Sequence, residues 1–595
     1  MSDPLIAIRA LVLAVIFAAA GCQSTPAPDA GEPEAVETGP DASADSLLDA
    51  AADAPEGRRA RLYLQAAEQL LAEGDPASAG AALAQVDVER LRDRQSARYL
   101  LALGRVALAE ERLEDARAAL LAVDPALLPR PLDAARATAE LLVAEGRPQA
   151  AAAHLMAVEP PDDPGAQQRH NDLIWHYLGQ VPPFEVIALG AQGAGTAAGW
   201  WRLKAQMLTS LTLTEQRERL EAWRRTHPGH PAAMQPPSAL AVLDAPPPPV
   251  RRVALLLPLS GPLSRAGQSV RDGFLATYLS HRSQVSFDVR IYDTAAEPVP
   301  VLYERALVDG ADVLIGPLDK DAVVQLNALE PDLPVLALNY LDDGQPAANV
   351  LQLGLAIEDE ALTLERWLDD EQADRVLALY NAEDWSRRAV RALSDARDEP
   401  LTVQMLENIR TVTESVGVAM HVAASQDRHQ ALQDLLGQEL EFLPRARHDV
   451  DAIVALVTPL EASALVPALR FHFAGNVPVY ATSQTVRGAD RERLRELNGF
   501  RVSELPWLTR EEPTFTELDA AFGLRDSPFV GLYALGVDAF RLADRAALII
   551  AGHFTELLGS TGELEFTPNG RIQRRLARAV IAGGRLVPRA AVTGR

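Results

Sequence analysis

The sequence predicts a multidomain protein: an all-α helical repeat domain followed by an α/β domain of two parallel-sheet lobes. Three observations carry the prediction. Ala/Leu-rich stretches repeat one another, LLAEGDPASAGAALAQV from Leu70, ALAEERLEDARAALLAV from Ala107 and LVAEGRPQAAAAHLMAV from Leu142. From Val253 onward, apolar runs of strand length alternate with amphipathic helical segments, the pattern of repeated βα units. Between the two regimes stands the run Pro246 to Pro249, and consecutive prolines make a stiff extended spacer. At 595 residues the chain holds several domains of roughly 100–200 residues each. Its 48% hydrophobic and 23% charged residues are those of an ordinary soluble fold.

The first element, residues 1–21, reads as a signal peptide. Ala10 to Ala20 (ALVLAVIFAAA) is an unbroken apolar run followed at once by Gly21-Cys22, and it falls far short of the roughly 20 residues that cross a bilayer. The stretch Ala19-Ala20-Gly21-Cys22 resembles the bacterial lipobox. That resemblance makes Cys22 the lipidated N-terminus, carrying an S-diacylglycerol and an N-palmitoyl chain, and two such chains suffice for a stable anchor. Gln23-Ser24 in place of Asp after the Cys points to the outer membrane. An ordinary secretory signal with an incidental Cys is the alternative. Residues 22–57 then read as an anchor and tether, because Ser24 to Glu56 carries nine carboxylates, no Lys and no Arg, a composition that self-repels and buries no core.

Residues 58–243 form the helical domain. Its Ala-Glu pairs begin at Ala72, Ala109 and Ala144, and a helix–turn–helix unit at that spacing resembles the tetratricopeptide repeat, whose unit is about 34 residues. Further helices are expected through His170–Tyr177, Trp200–Leu213 and Thr214–Trp223. Trp200-Trp201 is either a binding edge or, more simply, packing between helices. Residues 244–250 are the linker.

Residues 251–595 form the α/β domain. Val253 to Leu259 is apolar throughout, as befits a strand buried on both sheet faces. Strands are also expected at Phe287–Tyr292, Val313–Ile315, Val335–Leu338, Val376–Tyr380, Ala452–Val457 and Val477–Ala481. Helices are expected at Gln268–Tyr278, Asp359–Leu368 and Leu460–Phe471.

Composition excludes several functions. The formal net charge is -26, which repels nucleic-acid phosphates. A single Cys rules out an intrachain disulfide or a Cys-cluster metal site. Lys occurs only at Lys204 and Lys320, neither after a Gly, so a P-loop is absent. Neither HExxH nor GxSxG occurs. The eleven His read as structural or surface residues, and no metal, cofactor or catalytic residue is expected.

Three passages, VALLLPLSGPLSRAGQSVRDGFLATY from Val253, DVLIGPLDKDAV from Asp312 and GSTGELEFTPNGRIQRR from Gly559, resemble the type I periplasmic-binding-protein fold. With the lipobox and the tetratricopeptide-like domain they resemble the LpoA family of penicillin-binding protein activators, from Cys22 nearly to the end. The resemblance implies an outer-membrane lipoprotein that stimulates a bifunctional class A penicillin-binding protein, the peptidoglycan synthase, from the periplasmic side and is not itself an enzyme. A lipid-anchored periplasmic receptor for amino acids or similar solutes is the alternative; a cell-wall hydrolase is a third reading, for which no motif singles out a carboxylate pair.

Two residue sets are candidate sites. The turn holding Ser260, Gly261, Ser264 and Gly267 leads from a strand into a helix N-terminus, where free N–H groups favour an anion. It is either a vestigial ligand turn or a loop that only closes the βα unit. After Glu565 the chain carries no further carboxylate side chain, yet holds seven Arg. Arg571, Arg574, Arg575 and Arg578 are therefore either a solvated face or a docking patch for an acidic partner surface.

Overall fold

The structure, a computed structural model, describes residues 43–342, 344–438, 447, 449–510 and 512–589. Cys22 and the first part of the expected tether lie outside these residues. The chain divides into two compact units, the first ending at Gln180 and the second beginning at Val181.

In the first unit helix–turn–helix pairs follow one another: Glu56–Glu73 with Pro76–Leu83, Asp93–Ala109 with Leu113–Leu121, and Pro131–Ala144 with Pro148–Met156. The repeated Ala-Glu pairs fall where each longer helix ends. The left-handed residues that turn the chain follow at Gly74 (φ 83°), Glu111 (φ 58°) and Gly146 (φ 72°). Glycine enters that region freely, whereas Glu111 does so at a cost of about 1 kcal/mol. Small side chains let the helices approach closely. Ala66, Ala67, Ala79, Ala107 and Ala116 are buried, and a Cβ on Gly104 would come within 2.6 Å of Leu120.

The tether expected over residues 22–57 is corrected in its last part. Ala44–Ala52 is helical, capped by the Ser43 hydroxyl, which accepts the Ser46 N–H at 3.3 Å. Leu47 and Ala51 recur at helical spacing and pack with Leu62 and Ala66, while Asp45, Asp49 and Asp53 stay exposed. A narrow apolar stripe therefore suffices to fold an otherwise acidic segment.

The second unit opens with helices Pro183–Gly190, Thr196–Thr209 and Leu213–Thr226, which the sequence pattern groups with the helical repeat. They are fastened to the α/β part instead. Lys204 pairs with Glu556 at 2.7 Å, the Leu213 N–H donates to Asp544 at 2.8 Å, and the buried Arg545 donates to Leu211 O at 3.1 Å. The boundary expected at 244–250 thus marks a change of sequence pattern, and the compact division lies at Gln180/Val181. Trp200 and Trp201 are buried, Trp200 edge-on to His230; they pack a core and form no exposed edge.

Two parallel sheets make the lobes. The first comprises β1 (Arg252–Leu257), β2 (Asp288–Asp293), β3 (Val313–Ile315), β4 (Val335–Ala337) and β5 (Val350–Gln352), in the order β2-β1-β3-β4-β5. The second comprises β6 (Val376–Tyr380), β7 (Thr402–Met405), β8 (Ala452–Leu456), β9 (Val479–Thr482) and β10 (Arg501–Glu504). Read from its β7 end, it repeats the winding as β7-β6-β8-β9-β10. Each lobe is therefore doubly wound, with helices on both faces. Along β1, Val253, Leu255 and Leu257 enter one core while Ala254 and Leu256 enter the core on the opposite face, which is why the run is apolar without alternation.

The chain passes between the lobes three times. After β5 it enters helix Ile357–Asp370 and then β6. After β10 it returns to the first lobe as helix Val530–Ala543, whose Leu535, Ala539 and Phe540 complete the β1 core. A small antiparallel sheet follows, β11 (Glu556–Leu558), β12 (Glu563–Phe566) and β13 (Ile572–Arg575). The chain then rejoins the second lobe as β14 (Ala577–Ala582) and β15 (Arg585–Pro588), antiparallel on β10. This is the two-lobed periplasmic-binding-protein-like architecture.

Candidate functional site

In a doubly wound sheet ligands meet the loops at the carboxyl ends of the strands, and the turn after β1 stands there. Gly261 is left-handed at φ 70°. Gly267 has no room for a side chain, since a Cβ would lie 2.1 Å from Pro258 O. Its role is close packing of helix Ser264–Ser280 on the turn. Within the turn the Ser264 N–H donates to Gly261 O at 3.2 Å. The start of the turn is directed at the protein's own carboxylate: Asp293 at the end of β2 accepts the Leu259 N–H at 2.9 Å, together with the Ala295 N–H of the next loop at 3.0 Å. Burial pushes the Asp293 carboxyl up, but these bonds and those from the Ser260 hydroxyl and N–H outweigh it and hold the carboxyl below its usual range. The geometry favours the loop that closes a βα unit over a ligand turn.

Between the lobes lies a cavity of about 420 Å3 lined by Lys320, Asn339, Tyr340, Glu358, Arg388 and Arg571 among others. Two ion pairs form within it. Arg388 of the second lobe forks onto Glu358 at 2.7 and 2.9 Å. Lys320 pairs with Asp342, and the Arg571 guanidinium lies 3.9 Å from the centre of the Tyr340 ring. Burial pushes the Glu358 carboxyl up, yet the Arg388 hydrogen bonds prevail and hold it below its ordinary value.

The four arginines expected as one patch are not one. Arg574 is buried, with Nε 3.2 Å from Asp359, Nη1 donating to Thr561 O at 3.1 Å and Nη2 to Ala356 O at 3.2 Å. Arg575 faces Glu563 at 3.5 Å and Arg578 pairs with Asp370. The docking-patch reading is corrected for a physical reason: helix Ile357–Asp370, about two hundred residues upstream, brings Asp359 to Arg574 and Asp370 to Arg578, while the neighbouring strand β12 brings Glu563 to Arg575.

Two carboxylates missed in the sequence organise this region. Asp359 is the counter-ion of Arg574, and Asp538 accepts the N–H groups of Ser560 at 2.7 Å and Thr561 at 2.8 Å, pinning the Gly559-Ser560-Thr561-Gly562 turn. The GSTG spelling was the available signal, because only glycine fits at Gly559, where a Cβ would stand 2.6 Å from Asp538. Among the described residues no group of His, Cys, Asp and Glu is placed to hold a metal, and no helix is long and apolar enough to cross a membrane.

The family model described as "LppC putative lipoprotein" matches residues 37–581, across both units. The chain belongs to the LppC family. Curated relatives of this LppC chain carry the name Penicillin-binding protein activator LpoA. The one from Pectobacterium parmentieri is 25% identical over 660 residues, covering 97% of each chain. The one from Vibrio antiquarius is 27% identical over 433 residues, covering 69% of this chain and 71% of its own. Among solved structures, LpoA of Haemophilus influenzae aligns over 92% of this chain and 98% of its own with a TM-score of 0.54 at 20% identity, a likeness of fold. The LppC assignment agrees with the sequence-level resemblance, whose three quoted passages fall on β1 and its turn, on β3 and on the β12–β13 hairpin.

Proposed function

We propose that this LppC protein is a non-enzymatic activator of a class A penicillin-binding protein, anchored through lipid on Cys22 to the periplasmic side of the outer membrane and promoting peptidoglycan synthesis. The supporting observation is the alignment, over 97% of both chains, with a relative named as a penicillin-binding protein activator. The site geometry supports a protein partner over a small solute. In the interlobe cavity Arg388 is paired with Glu358 and Lys320 with Asp342, and the turn after β1 directs its Leu259 N–H at Asp293. An activator that does no chemistry acts by binding the active conformation of its synthase more tightly than the inactive one. The test is the rate of glycan polymerisation and peptide crosslinking by the purified synthase, with and without the protein. Both rates are expected to rise; unchanged rates with folded protein overturn the reading.

A further inference from the structure

Sheet edges present unpaired backbone donors and acceptors, and folded proteins guard them with charge, proline or cover. The three sheets have six edges among the described residues, and five are guarded. β2 carries Asp288, Arg290 and Asp293. β5 is bridged at Gln352 by Arg571, and the Gln352 N–H donates to Gly570 O at 2.9 Å. β11 carries Glu556, which pairs with Lys204 at 2.7 Å, β13 carries Arg574 and Arg575, and β15 runs from Arg585 to Pro588.

β7 differs. Its four residues, Thr402, Val403, Gln404 and Met405, include neither charge nor proline, and Val403 and Met405 are 47% and 38% exposed. Leu406 N–H donates to Tyr380 O at 2.7 Å. In the parallel register on β6 this turns the backbone groups of Gln404 inward and those of Val403 and Met405 away from the sheet. Gln404 Nε2 donates to Met405 O at 2.9 Å, a short contact that an arriving strand displaces. In the stretch 398–410 the exposed charges are Asp398, Glu399 and Glu407 against Arg410, on a chain of net charge -26.

We propose that the outer edge of β7 receives an extended segment of the synthase as an added strand, one with apolar residues facing Val403 and Met405 and basic residues at its ends. The inference rests on the activator reading above. Backbone pairing supplies the affinity and the flanking carboxylates select the charge of the incoming segment.

The test uses the full mature chain and the purified class A synthase. Val403→Pro removes an outward N–H without touching the β6 ladder, and Val403→Lys adds the guard that other edges carry. Either is expected to weaken synthase binding about tenfold or more, while Val587→Lys on β15 leaves it unchanged. Hydrogen exchange at the Val403 and Met405 amides is expected to slow when the synthase is added. Equal binding by all variants with unaltered exchange overturns the edge proposal and leaves the activator reading standing. Slowing with rising protein concentration alone assigns the edge to a second copy and overturns it too. No synthase binding by the wild type removes both.

Discussion

Asp359 and Arg574 lie 215 residues apart in sequence and 3.2 Å apart in the fold. Taking one partner from a buried pair leaves the other charge without compensation, which costs about 3–5 kcal/mol. Asp359→Asn should therefore lower unfolding stability by that order in denaturant titrations, and Asp359→Asn with Arg574→Met should recover most of it. Glu504 makes the opposite case. Burial first, and then the nearby Glu360, push its carboxyl up to about 7. An acid raised in the folded state contributes stability that is fully present below its unfolded value near 4.5 and is lost as pH rises through about 7. Glu504→Gln should remove this loss, so the variant gains up to about 3 kcal/mol over wild type at pH 8 and nothing at pH 4. Neither group was legible as special. A charged residue in a sequence window carries no sign of its distant partner, so Arg574 looked like one of a run of free cations.

Helix Val530–Ala543 crosses helix Ser264–Ser280 at a contact where backbones nearly touch. A Cβ on Gly536 would lie 2.2 Å from Val270 O, and one on Gly273 would lie 2.2 Å from Tyr533 O. Gly536→Ala should push the helices apart and cost about 3 kcal/mol, seen as a lower unfolding midpoint. What the sequence disclosed at this scale follows burial. β1, β3, β6 and β8 were readable because strands buried on both faces are continuous apolar runs. The three-residue β5 and the half-exposed β7 have no such run, and antiparallel β10–β14 pairing joins segments with no periodic link. Helices were readable to within a few residues where an apolar stripe met a proline or glycine stop. The Ala-Glu repeat was readable as a repeat, although its meaning, the left-handed turn after each longer helix, was not. The segment Ala44–Ala52 was hidden by its own acidity, because composition outvoted a stripe made of little more than Leu47 and Ala51.

At the scale of the whole molecule, the architecture was legible from the order of its parts and the Pro246–Pro249 run, whereas the affiliation of residues 181–243 was not. Their helices have the composition of the repeat domain, but their anchors, such as Lys204 on Glu556, depend on residues far downstream. The lipid anchor belongs to this scale too. Cys22→Ala should leave the protein as uncleaved precursor or in the soluble fraction, checked by mass spectrometry and membrane fractionation, with stimulation of the synthase in solution retained. The threefold passage of the chain between lobes carries a further implication for synthesis. A polypeptide emerges N-terminus first, and domains whose pieces are contiguous fold as they appear. Here the first lobe still lacks Leu535 and Phe540 after β1 to β5 have emerged, and the second still lacks β14 and β15 after β10 has. The first lobe stays open to proteases and aggregation until β13 arrives and the second until β14 and β15 do, so a ribosome that stops short of Val530 releases a chain with two unfinished cores, and one that stops between β13 and β14 leaves the second core unfinished.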